Sequence, residues 1–352
     1  MSKARLLTTA LVTVAVAMLM AARAQAQSPA AGYTSISIPS NTDVIVSVPL
    51  VLEAAQSGTV SGVSGTDVDV AGASFDGTYT NTPHYVRITS GGNAGRWSTI
   101  TTIVDSDTLR VADATALSGV VNGNTLDIVP HRTLGNVLPN WLEGTSFIAS
   151  ANSITRRTEI LMFGTPTMIN QSPTDTYYYM TNATLNAWRK TGQPTTDSYN
   201  NAIIPPDRYV ILRNNVNTNL TYYAIGYALQ DVRKNTVGNS TVKVDLRGVS
   251  GRPVPMTLGQ LGLGGTTAFV ARPTALGTGD ELWMYDNTAT GKNKSYEGGM
   301  YYYYNSGWRK SGVANTIDWT TSNVVQAASG FMIRKAATSS PSTEVWTQVA
   351  PY

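Results

Sequence analysis

The sequence predicts an all-β protein, a small N-terminal barrel or sandwich followed by two related β-domains. Three observations predict it. Short runs of β-branched and aromatic residues are separated at close intervals by Gly, Asn, Asp and Pro, the residues that turns demand. Beyond residue 26 no long stretch carries the period of an amphipathic helix. The segment Glu281 to Lys335 also repeats Glu159 to Asn214 at an offset of about 120 residues.

Residues 1–26 read as an export signal. Lys3 and Arg5 precede an apolar run from Leu6 to Ala22, and Ala24-Gln25-Ala26 forms a small-residue cleavage site. No later run reaches the roughly 18 to 20 apolar residues of a spanning helix, so the mature chain is expected to be soluble or peripheral. A terminal Tyr352 raises the alternative of an outer-membrane barrel, but Pro351 and the lack of regular ten-residue alternating segments weigh against it. Removing Lys3, Arg5 and Arg23 leaves 22 basic against 22 acidic residues. A chain without excess positive charge is not built for nucleic acid, and near-zero net charge favours self-association. There is no cysteine, so an exported chain of this size is held by packing and sheet hydrogen bonds alone.

Residues 27–127 form the predicted N-terminal β-domain. Tyr33, Ile36 and Ile38 alternate ahead of Pro39, as an edge strand or as an arm that adds to a neighbour's sheet. Strands follow over Val44–Val48, Gly58–Val63, Asp67–Val70, Tyr85–Ile88, Arg96–Ile103 and Thr108–Val111, and Asn122-Gly123 marks a tight turn. Ser90-Gly-Gly-Asn-Ala-Gly95 lacks the Lys-Ser/Thr of a phosphate loop and reads as a hairpin turn. Asp67 with Asp69, or Asp105 with Asp107, falls short of the six to eight oxygens that Ca²⁺ takes.

The first repeat is placed at 128–230, a linker at 231–249 and the second repeat at 250–352. Thr133-Leu134-Gly135 answers Thr257-Leu258-Gly259, Tyr177-Tyr178-Tyr179 answers Tyr301 to Tyr304, and Trp188-Arg189-Lys190 answers Trp308-Arg309-Lys310. Successive strand side chains alternate between faces, so Tyr178, Tyr302 and Tyr304 are candidates for an outward platform that stacks on sugars or on another subunit. Trp188 and Trp308 read as plugs at the ends of these hairpins, with Arg189 and Arg309 solvated or stacked beside them, and all four join the interface candidates. Arg213 and Arg334 are expected to pair with Glu159 and Glu281.

Catalytic signatures are missing. Neither His84 nor His131 stands in a metal-ligand spacing, no Gly-x-Ser-x-Gly elbow occurs, and no separation can be read for a carboxylate pair such as Glu143 and Asp127. No catalytic residue, metal site or cofactor is expected.

Val46-Ser-Val-Pro49, Tyr85-Val-Arg-Ile-Thr-Ser-Gly91, Ile128-Val-Pro-His-Arg-Thr-Leu-Gly135 and Phe331-Met-Ile-Arg334 resemble an uncharacterised family of exported bacterial proteins of similar length. His131-Arg132 departs from that pattern, where an aromatic pair is expected before Thr-Leu-Gly. The resemblance implies export and assigns no activity. The resulting expectation is a non-enzymatic cell-surface or extracellular structural protein, with the periplasm as another destination, that self-associates and can form filaments. The alternative is an adhesive module that binds cell-surface glycans through exposed Tyr and Trp.

Overall fold

The computed structural model describes residues 31–137, 147–181 and 186–352, and the export signal and Glu143 lie outside them. The described chain is almost entirely strand, loop and turn, as predicted. β1 (Ala31–Ile38) and β2 (Asp43–Val46) come first. β3 (Gln56–Ser64), β4 (Asp67–Val70), β5 (His84–Ile88), β6 (Trp97–Ile103), β7 (Thr108–Val111) and β8 (Thr125–Pro130) then close a six-stranded barrel in the order β3-β4-β7-β6-β5-β8. Its interior is filled by the inward residues of alternating strands, among them Val60, Val68, Val86, Ile88, Leu109, Leu126 and Ile128.

After the barrel come β9 (Thr158–Met162), β10 (Asp175–Met180), β11 (Ala187–Lys190), β12 (Val210–Asn214) and β13 (Leu220–Tyr227). The strands β11-β10-β9-β12-β2 make a five-stranded sheet, and β1 pairs with β13 as a separate ribbon. The remaining strands are β14 (Arg233–Gly238), β15 (Val244–Val249), β16 (Glu281–Met284), β17 (Gly299–Tyr304), β18 (Gly307–Lys310), β19 (Gly330–Lys335) and β20 (Thr343–Gln348). They make a sheet in the order β15-β19-β16-β17-β18 and a ribbon of β14 with β20. The two halves therefore share one strand order, each with a five-stranded sheet and a ribbon joining its first and last strands.

This topology corrects the sequence boundaries. β1 and β2 do not belong with the strands that follow them, because β1 pairs with β13 along its whole length and β2 pairs with β12. Likewise β14 and β15, placed in a linker, are the first two strands of the second half. The barrel interrupts the first half between its second and third strands. Segment order misled here because strand partners are chosen by where apolar faces can be buried, which sequence adjacency does not record.

Each half has its own core. Val44, Ile160, Trp188, Leu212 and Tyr222 fill the first, and Leu261, Leu282, Trp308, Phe331 and Trp346 the second. The central strand β9 is buried at every position, and so lacks the alternation of a strand with one wet face. A smaller cluster of Ile45, Tyr209 and Val249 joins the halves. The Ser90–Gly95 turn is the hairpin loop between β5 and β6, and it docks the barrel on β14 and on Val232 just before it. Lys234 N donates to Gly95 O at 3.0 Å. Gly95 has φ 90°, and a Cβ there would stand 2.4 Å from Val232 O, so only glycine fits.

Candidate functional site

The repeated tyrosine and tryptophan strands do not form an outward platform. Tyr178, Tyr302, Trp188, Trp308, Arg189 and Arg309 are all buried, and Tyr304 alone of the seven is half-buried. Both faces of β10 and β17 are covered, so the alternation that sends rings to both sides sends them into two packed layers. Trp188 packs against Phe147 and Tyr179, and Trp308 against Phe269 and Tyr303. Arg189 Nη1 donates to Asp197 O, and Arg309 Nη1 donates to Ile317 O at 3.4 Å and lies 3.3 Å from Asp318 Oδ1. These side chains hold loops to the ends of the hairpins.

The expected arginine–glutamate pairs are also rearranged. Arg213 stands opposite Glu159, and Arg334 opposite Glu281, in neighbouring strands. The ion pairs run the other way along the sheet. Arg213 makes a bidentate contact with Asp43 at 2.8 and 2.8 Å, and Arg334 makes one with Asp245 at 2.8 and 2.9 Å. Asp43 and Asp245 are almost fully buried, and the planar fork suits two parallel N–H···O bonds. Glu159 instead meets Arg156 at 2.5 Å and Glu281 meets Arg272 at 2.8 Å. Arg156 lies over the Tyr178 ring and Arg272 over the Tyr302 ring, so the buried tyrosines face cations of their own half.

Each bidentate pair is completed from the other half. Asn293, in the β16–β17 loop, donates its backbone N–H to Asp43 at 2.8 Å and accepts from Arg213 at 2.7 Å. Asn170, in the β9–β10 loop, does the same for Asp245 and Arg334, at 2.7 and 2.7 Å. Asn170 has φ 57° and Asn293 φ 55°, a left-handed backbone that asparagine tolerates better than most residues. Two loops thus cross in opposite directions, each clasping the other half's sheet.

Between the clasps lies a cleft of about 540 Å³, lined from both halves. Ile45, Phe163, Tyr209, Tyr285 and Tyr296 give it apolar and aromatic walls, and the two clasps, Gln171, Arg247 and Lys294 give it polar ones. Tyr209 and Tyr285 share a hydroxyl hydrogen bond of 2.9 Å. Burial pushes both phenols far above the usual tyrosine range, and for Tyr285 the Tyr209 ring adds to the rise. They are therefore neutral hydrogen-bonding groups and not proton-transfer groups near neutral pH. Burial also lowers Lys294 from its usual value.

Among the described residues no group of three His, Asp or Glu side chains is placed to hold a metal ion. Asp67 is bonded to Arg110 and Asp69 to Thr108, in keeping with their place on a barrel hairpin. No helix among the described residues is long and apolar enough to cross a membrane. Sequence reasoning missed the cleft because neither Asp43 nor Asp245 falls within the stretches that repeat visibly. No protein-family model, curated protein or solved structure matches this chain.

Proposed function

We propose that the protein is a non-enzymatic, exported structural subunit of a cell-surface or extracellular assembly, in which copies join through β1. The observation that supports this reading is the edge of β1. It pairs with β13 over eight residues, and among the described residues no other strand pairs with it. Open strand edges are templates for another chain, and folded proteins usually blunt them with charge, proline or a bulge. Ala31-Gly-Tyr-Thr-Ser-Ile-Ser-Ile38 carries none of these.

The second half supplies a contrast. Its matching strand, β14, holds Lys234 and is engaged by Gly95 of the barrel. On the outer face of the first ribbon Tyr33 is 72 % exposed, directly opposite Ile225 at 46 %, with Tyr223 packed beside it. A second copy fits this edge better than a charged partner. An antiparallel pairing of β1 with itself sets no like charges together, completes the unused backbone groups and covers Tyr33.

The mature chain is expected to show a weight-average mass that rises with concentration in light scattering, with rings, fibres or pairs visible by negative-stain microscopy. A Tyr33→Glu, Ser35→Lys variant should stay monomeric with an unchanged melting temperature. Wild-type protein that remains monomeric at high concentration would remove the proposal, and so would equal assembly by the variant.

A further inference from the structure

The shared strand order gives most cleft residues a counterpart in the other half. Asp43 and Asp245 stand in register with Arg213 and Arg334, and Asn170 and Asn293 close the two clasps. Two positions next to these anchors break the match in charge. Arg247 stands two residues after Asp245, where the first half has Ile45, and Lys294 follows Asn293, where the first half has Gln171.

Neither of these cations is bonded to a carboxylate. Arg247 is 9 % exposed, its guanidinium lies 4.1 Å from the centre of the Phe163 ring, and Nη2 donates to Gln171 Oε1 at 3.2 Å. Its Nε and Nη1 have no hydrogen-bond partner. Lys294 Nζ donates to the backbone oxygen of Asp286 at 2.8 Å. The cleft's own acids, Asp43 and Asp245, are committed to Arg213 and Arg334. A buried cation with unmet N–H groups is costly to a fold that gains nothing from it, and at the matching position the first half does without a cation, having Ile45. The same group becomes useful when a ligand brings the missing anion.

We infer that the cleft between the halves binds a ring-bearing carboxylate, held by Arg247 and Lys294 and laid against Phe163, Tyr285 and Tyr296. The guanidinium fork matches a carboxylate in two parallel bonds. The long Gln171 contact is the one that gives way, freeing Nη2 for the ligand. Aromatic walls suit the flat face of a pyranose or an aromatic ring, and about 540 Å³ accommodates a ligand of disaccharide size. An acidic glycan end and a free aromatic acid share this chemistry. The site is separate from the β1 edge and does not depend on assembly.

The test is calorimetric titration of the purified full-length mature protein at low ionic strength with digalacturonate, its uncharged counterpart galactobiose, benzoate and inorganic phosphate. Binding of digalacturonate is expected, at least tenfold tighter than galactobiose and weakening as salt rises. Benzoate binding without digalacturonate binding assigns the site to aromatic acids and keeps the inference. The variants take the first half's own residues. Arg247→Ile should lose tenfold or more in affinity, and Lys294→Gln, on a loop that leaves the core untouched, several-fold. The inference is overturned if neither carboxylate binds, if galactobiose or phosphate binds as tightly, or if both variants, folded, bind like wild type.

Discussion

His131 is held uncharged by what surrounds it. It is fully buried between Tyr85 and Trp97, with ring centroids at 4.8 and 5.9 Å, and Nε2 meets Thr99 Oγ1 at 3.0 Å. Burial, helped by His84, lowers its pKa to about 4. The folded value lies below the ordinary 6.5, so between those pH values the unfolded chain takes up a proton that the folded chain refuses. Stability is therefore full above pH 6.5, falls as pH drops towards 4 and levels off below, a loss of roughly 3 kcal/mol at 1.36 kcal/mol per unit. Thermal melts across this range should show the fall, and His131→Gln should flatten it. The imidazole occupies an aromatic niche between Tyr85 and Trp97. The tyrosine strands were legible as strands, but a strand with rings on both faces reads alike whether its outer face meets water or another layer.

At the scale of elements, the reciprocal clasps tie the halves together through two asparagines. Replacing Asn293 with Ala removes the bond to Arg213 and leaves in the left-handed backbone a residue that tolerates it less well than asparagine, whereas Gly removes the bond but also the β-carbon's steric cost. The Ala variant should lose about 2 kcal/mol and the Gly variant about 1 kcal/mol, measured by urea unfolding, with the same ordering at Asn170. Equal losses would mean that the backbone conformation contributes nothing. Sequence repetition located Arg213 and Arg334 but paired them with the wrong acids, for a geometric reason. Asp43 lies 170 residues from Arg213, and Asp245 lies 89 from Arg334, because the barrel is spliced into the first half alone. A constant offset cannot reveal partners separated by an insertion, although it did reveal the strands on either side.

On the scale of the whole molecule, the barrel is an insert in a host that closes without it. The strands that enter and leave it, β3 and β8, run side by side from Gln56 opposite Ile128, so the gap in the host is short. Replacing residues 54–130 with a short Gly-Ser turn should leave a β-rich, cooperatively melting protein. Its melting temperature should be lower, because Tyr85, Trp97 and the Gly95 contact are lost with the barrel. Circular dichroism and dispersed amide NMR resonances would check this, and an unfolded product would show that the barrel is integral to the host. All-β character, barrel strands and repeated hairpins were all legible beforehand, since each depends on local alternation and turn residues. Which strand joined which sheet was not, being decided by long-range burial. The splice between β2 and β9 has a wider consequence. It behaves as a socket, so if copies join through β1 each would display its plug-in module at a regular pitch, and a different cargo in the same place would inherit that spacing.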